Sequence, residues 1–401
     1  MVPKFRVRVN SAQGVGLFGT LALIEMLSVH LTNSALVLFA LDLEASIIEI
    51  NLIKVVTIFL PLILQLPFGV LSDKWGRRPL IFIHQISSLS SALLRSFSQN
   101  PFHLILSSLV RGIGGGLFYP QILSLIGDVT PSEEKASTIN RFYIFSSVGM
   151  LTGPGLASIS LKWVDLRQLF LMECFLRLVN LALVLLIFRG APQPSEEDGS
   201  SGVSQDYLFA VRKLFGRRNM LTVVQMAGFF TFFRAVFNTY TPIYARVSVG
   251  VPDSLIVLFG SFTGITILGS RLFLDRLIIW LNHKKVLMII LAVCFFTGFS
   301  LPFSKNFFSL SLEMVLMGLC VGILEPLGSI LVAHSTSTTE RGFGNSLNSF
   351  MKSLGSISTM VLVPIAMGPN MSLIFSIAAV LPFISFFISY FLMEPVSEEE
   401  D

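Results

Sequence analysis

The chain has 401 residues, of which 53% are hydrophobic and 13% charged, with a formal net charge of +4 and a mean hydropathy of +0.76. A water-soluble domain carries about 25% charged residues, so a soluble globule is excluded. The basic residues sit in short stretches between apolar runs, with no basic helix or aromatic–basic module, which argues against nucleic acid as a partner. Cys174, Cys294 and Cys320 fall inside apolar runs at no metal-ligand spacing and read as small core residues.

A membrane helix needs ~20 mostly apolar residues. Twelve runs qualify in chain order: 17–41, 52–71, 80–97, 102–126, 139–161, 169–188, 221–244, 254–274, 286–303, 307–333, 344–367 and 372–393. Lys4, Arg6 and Arg8 precede the first run. That run is too long for a signal peptide and lacks a small-x-small cleavage site, so it is read as an uncleaved first helix. Between the second and third runs lies Gly69-Val70-Leu71-Ser72-Asp73-Lys74-Trp75-Gly76-Arg77-Arg78-Pro79. Adjacent arginines would each cost ~2.5–3.5 kcal/mol at a bilayer centre, so this stretch is expected to be a tight loop at a membrane face. Gly69 and Gly76 permit φ > 0, and Pro79 suits the first turn of the next helix. Asp73 is placed to accept from free N–H groups at a helix start.

The one long polar break, 189–219, holds two prolines, an acidic group, a Gly-Ser-Ser-Gly run and the basic residues Arg212, Lys213, Arg217 and Arg218. It reads as a cytoplasmic linker between an N-terminal six-helix bundle, 1–188, and a C-terminal one, 220–401, with a short acidic tail. With both termini inside, the inner segments carry a threefold excess of Lys and Arg over the outer loops, which sets the expected orientation: termini cytoplasmic. The halves also resemble each other. Gly116 to Pro120 lines up with Gly322 to Pro326 at an offset of 206, and the same offset pairs Gly149 with Gly355. Such weak repeats are what duplicated transporter folds leave in sequence.

The stretch at 69–78 resembles the loop signature of the major facilitator superfamily, G-x-x-x-D-[RK]-x-G-R-[RK], with Gly69, Asp73, Lys74, Gly76, Arg77 and Arg78 all matching. Arg111 with Gly115 is similar to the family's fourth-helix pattern R-x-x-x-G. Gly149, Gly153 and Pro154 are similar to the start of its fifth-helix antiporter pattern, which Ala157 and Ser158 do not complete. The resemblance implies an all-α integral membrane fold: twelve transmembrane helices in two pseudo-symmetric six-helix bundles, with a cavity between them at mid-depth. It also implies a conformational latch at Gly69, Asp73, Lys74, Gly76, Arg77 and Arg78.

Ionisable residues inside membrane spans are functional candidates by default. Glu25 lies near the middle of the first run with no basic residue within a helical turn, which makes it either a coupling carboxylate or a partner of a distant cation such as Arg111 or Arg234. By resemblance, Arg111 belongs to a proton relay. Arg234 and Asn238 share the seventh run with Tyr240 and are candidates to line a cavity. Glu173 and Arg177 are four apart and read as a local ion pair. Glu325 and Lys352 read as an ion pair or a gate. Gly149, Gly153 and Pro154 let helices pack closely or bend. His30 reads as a packed residue. The glycines at 112, 114, 115 and 116 fail the nucleotide-loop pattern, and no P-loop, H-E-x-x-H or G-x-S-x-G motif occurs. The expectation is therefore no enzyme, no cofactor and no metal.

The expected function is secondary active transport of a small solute by alternating access, in the bilayer of the cell (inner) membrane, by a monomer. Proton-coupled export of an amphipathic compound is the leading reading. An uptake carrier for a sugar, organic acid or nucleoside is the alternative, and a non-transporting receptor or scaffold the remote one.

Overall fold

The computed structural model describes residues 11–130, 132–188, 217–336, 341–367 and 370–394. Among these residues it is helical with no strand. The helices are α1 (Ser11–Asp42), α2 (Ile47–Trp75), α3 (Arg77–Ser96), α4 (Pro101–Gly114), α5 (Phe118–Val129), α6 (Ser132–Ser160), α7 (Leu166–Ile187), α8 (Arg218–Tyr244), α9 (Asp253–Ser300), α10 (Phe307–Ser335), α11 (Arg341–Met367) and α12 (Met371–Leu392). A π-turn, Ala245–Val249, closes α8.

Polar caps set several of these starts. Ser46 accepts from the Glu49 N–H while Glu49 Oε2 accepts from the Ser46 N–H at 2.8 Å. Asp165 and Gln168 form the same reciprocal box at the start of α7. Asn100 precedes Pro101 and accepts from the His103 N–H, and Asn306 accepts from the Ser309 N–H. Each satisfies backbone donors that no helical carbonyl can reach.

Three expected boundaries change. The stretch 69–79 is not a loop: α2 continues to Trp75, Gly69 lies within it, and the whole reversal falls on Gly76 at φ 76. One glycine in the left-handed region is enough to join two helices. The fourth run is two helices, because Gly115 is extended and Gly116 sits at φ 79 between α4 and α5. The eighth and ninth runs share α9, which breaks at Asn282 (φ 60), where the Asn282 side chain accepts from the Lys285 N–H to restart the helix.

Nine stretches among the described residues are long and apolar enough to cross a membrane. The one from Asp253 to Phe303 has 51 residues. At 1.5 Å per residue it is ~75 Å long, enough for two crossings of a ~30 Å hydrocarbon layer. α12 exposes Leu373, Ile377, Ile384, Phe387 and Phe391 at helical spacing, an apolar stripe suited to lipid rather than water.

The chain divides into two compact units: Met1–Ser200 with Pro252–Ser261, and Ser201–Val251 with Phe262–Asp401. The same helix pair organises each. In the first unit α1 packs along α6; a Cβ on Gly149 would meet the Leu23 carbonyl, and one on Gly153 would sit 2.8 Å from the Leu27 carbonyl. In the second unit α8 packs along α11; a Cβ on Gly355 would meet the Gly228 carbonyl, and Thr359 Oγ1 donates to the Phe232 carbonyl at 3.0 Å. The pairs 149/355 and 153/359 keep the offset read from the sequence.

Candidate functional site

Three polar stripes converge inside the first unit. α1 supplies Glu25, Ser28 and Thr32; α3 supplies His84, Ser88, Ser91 and Arg95; α7 supplies Glu173, Arg177 and Asn180, all buried. Each set repeats every three or four residues, which puts it on one helix face. An apolar exterior leaves the bundle interior as the only place for such a face.

Glu25 is 1% exposed and accepts twice from α7. Arg177 Nη1 donates to its Oε1 at 2.5 Å, and Asn180 Nδ2 donates to its Oε2 at 2.9 Å. His84 Nε2 faces the same Oε1 at 3.1 Å, and Arg111 Nη2 stands 3.9 Å away. Glu173 takes Thr32 Oγ1 at 2.8 Å and Arg177 Nη2 at 3.4 Å, with Arg95 Nη1 at 3.8 Å. The group contains two carboxylates and three guanidinium groups, so positive charge is in excess before His84 is counted. Removing either carboxylate adds to the uncompensated charge, and removing Arg177 takes away the one guanidinium that bonds both acids, each far more costly here than at a surface.

The expected partners of Glu25 are therefore corrected in part. Arg177 is its nearest cation and Arg111 flanks it, while Arg234 belongs to the second unit and pairs there. The Glu173–Arg177 pair is present, but Arg177 spans both acids rather than serving one. Sequence reading passed over His84, Asn180, Thr32 and Arg95. The signal was available: 84, 88, 91 and 95 form a polar helical stripe in the run with the weakest apolar character.

In the second unit, Arg234 on α8 donates to Glu325 Oε1 on α10, and Arg271 Nη2 on α9 donates to Oε2 at 3.1 Å. These two arginines are the direct donors to Glu325, and its expected partner Lys352 lies within electrostatic reach of the same carboxylate and of Arg234. Glu325 and Arg234 are about a third exposed. Asn238, one turn along from Arg234, is exposed, whereas Tyr240 is buried in the core. This group is open where the Glu25 group is closed. A cleft of about 640 Å³ in the same unit is lined by Arg217, Arg218, Asn219, His334, Ser335, Thr336 and Glu394. Ser335 is ten residues along α10 from Glu325, ~15 Å, so the two features are separate.

At the α2–α3 joint, the Arg78 guanidinium lies over the rings of Phe82 and Phe188 at 5.9 and 5.6 Å. The side chains of Asp73 and Lys74, residues 189–216 and the acidic tail lie outside the described residues. Pro154 lies within α6 without ending it. Among the described residues no group of His, Cys, Asp and Glu is placed to hold a metal ion.

The sequence profile of the Major Facilitator Superfamily matches residues 18–315 and 281–401. The quinolone resistance protein NorA of Staphylococcus aureus (strain COL) is 24% identical over 295 residues, covering 72% of this chain and 73% of that protein. The crystal structure of a mutant of the nucleoside transporter NupG superposes with a TM-score of 0.76 at 14% identity, covering 94% of this chain and 100% of that one. The D-xylose–proton symporter structure superposes with a TM-score of 0.71 at 14% identity, covering 97% and 98%.

Proposed function

The chain belongs to the Major Facilitator Superfamily and is a multi-pass membrane transporter; on that footing we propose that it exports an amphipathic compound in exchange for protons. One observation carries the reading: a carboxylate, Glu25, is held in the core of the first unit by groups from α3, α4 and α7. A buried carboxylate surrounded by titratable and cationic partners is the arrangement through which proton binding and helix packing influence each other. The similarity to a quinolone resistance protein over 72% of the chain supports export of a drug-like compound.

In this reading both termini are cytoplasmic, residues 189–219 link two bundles, and the 69–78 stretch latches the cytoplasmic side with Asp73 and Arg77. The proton gradient supplies the drive, at ~2.3 kcal/mol per charge per 100 mV. A second reading, a carrier for a polar metabolite, is favoured by the open Arg234–Glu325–Arg271 group with Asn238 beside it, a set suited to hydrogen-bonding a polar solute.

Cells expressing the protein, Glu25→Gln or Asp73→Asn, loaded with a lipophilic cationic dye with and without a protonophore, separate these readings. Lower dye content with the wild type, abolished by protonophore and by Glu25→Gln, is the expected result. Unchanged dye content in every case, with each variant folded in the membrane, sinks drug export and leaves the polar-metabolite carrier.

A further inference from the structure

We propose that His84 and Glu25 form a two-residue proton site, in which the proton sits on His84 Nε2 and its presence ties α1 to the break between α4 and α5. The inference rests on the proton-coupled reading for its role in transport, but the site itself follows from hydrogen-bond chemistry.

A neutral imidazole has one N–H and one bare nitrogen. His84 Nδ1 lies 2.9 Å from the Gly114 carbonyl oxygen. A carbonyl only accepts, so Nδ1 carries a proton and donates. In neutral His84 the nitrogen facing Glu25 would then be the bare one. Glu25 already accepts from Arg177 on one oxygen and from Asn180 on the other, the pattern of an ionised carboxylate. Two lone pairs, on Nε2 and Oε1, would face each other at 3.1 Å. With Glu25 ionised, the contact is attractive only when Nε2 also holds a proton, making His84 an imidazolium that donates at both ends. The site thus contains one exchangeable proton: binding forms Nε2–H and its bond to Oε1, and release returns Nε2 to a lone pair that repels the carboxylate.

The groups around the pair explain why this proton is exchangeable. α4 contributes Arg111, α7 contributes Arg177 and Glu173, and α3 itself contributes Arg95. Lys54 on α2 adds positive charge near Arg95. α5 contributes Phe118, whose ring lies 5.2 Å from the imidazole. Three guanidinium groups against two carboxylates oppose a further positive charge, so Arg177 and Arg111 compete with the proton for Glu25. The other end of the imidazole reaches the last residue of α4, directly before Gly115 and Gly116, where the fourth span is not helical. A Cβ on Gly114 would lie 2.8 Å from His84 Cα, so α3 and the end of α4 move together. Loss of the proton frees α1 from α3 while the Nδ1–Gly114 bond stays.

The test is ¹⁵N NMR of the full-length protein labelled at its histidines, in lipid nanodiscs, with His84 assigned by difference against His84→Gln. The expected result is that both ring nitrogens are protonated at pH 6, and that raising the pH removes the Nε2 proton while Nδ1–H persists. In Glu25→Gln the imidazolium form should be lost at pH 6. Neutral His84 with the proton on Nε2 and a bare Nδ1, throughout pH 6–8, overturns the proposal. Proton-driven dye export then checks the coupling: its rate should change several-fold over pH 6–8 in the wild type and less than twofold in His84→Gln. A wild-type pH profile in that variant also overturns the proposal. The NMR readout needs no substrate. An imidazolium seen without any dye export removes the export reading and keeps the proton site.

Discussion

The two units share a scaffold and differ in what they bury. In both, a first helix packs along a fifth through small residues at matching positions, Gly149 and Gly153 in one and Gly355 and Thr359 in the other. Around that shared contact the interiors diverge. The first unit encloses two carboxylates, three arginines and a histidine. In the second, α8 and α12 meet instead through aromatic rings: Phe233, Phe237, Tyr244 and Phe375 pack with centroids 5.6–6.2 Å apart. Its acid–arginine group at Glu325 stays partly open. The lesson is that duplication kept the backbone approach, where sterics leave few options, and let the polar chemistry separate. A closed charged core suits a group that must hold and release a proton. An open charged group suits contact with a solute.

The largest effect should come from breaking the closed cluster. Arg177→Met leaves both Glu25 and Glu173 without their shared cation, and a buried ion that loses its partner costs about 3–5 kcal/mol. The expected outcome is a large drop in thermal unfolding temperature in lipid or detergent. A variant with a wild-type melting curve would show that the cluster is not the structural centre of the unit.

The shared scaffold gives the next effect. Gly149→Ala and Gly355→Ala each drive a methyl group into a backbone carbonyl of the neighbouring helix, so each should lose about 1–3 kcal/mol and by similar amounts. Gly269→Ala, in the same fold but with nothing within 4 Å of the added carbon, should be neutral or gain up to about 1 kcal/mol. Denaturation of the three variants side by side checks the ranking. Unequal losses at 149 and 355 would mean that the repeat is one of register and not of packing.

Much of this architecture was legible in the sequence because its signals are local or periodic. The all-helical apolar runs and the 206-residue register between Gly149 and Gly355 need only counting. The partners of the buried charges were not legible, because they come from helices 152 and 155 residues away in the case of Arg177 and Asn180. Nothing in the spacing of Glu325 and Lys352 says that Arg234 and Arg271 will reach the carboxylate first. The break at Gly115 and Gly116 was hidden for another reason. Glycine is tolerated in a membrane helix, so a glycine run reads equally as close packing or as an interruption. His84 could have been found from the 84/88/91/95 stripe, but a single histidine carries little weight until its two nitrogens are given partners.

The smallest effect sharpens the same contrast. Arg271 is 44% exposed and donates to a carboxylate that Arg234 already holds. Solvent screens such a pair, and exposed ion pairs contribute about 0–1 kcal/mol. Arg271→Met should therefore leave thermal stability within about 1 kcal/mol of the wild type, against the several expected for Arg177→Met. If the open group contacts solute, the same change should still alter the apparent affinity for transported substrate, because the freed Oε2 of Glu325 becomes an acceptor without a donor on that side. Stability and transport measured on one preparation decide this. A large stability loss would make the Glu325 group as structural as the cluster around Glu25, and the division of roles between the two units would fall.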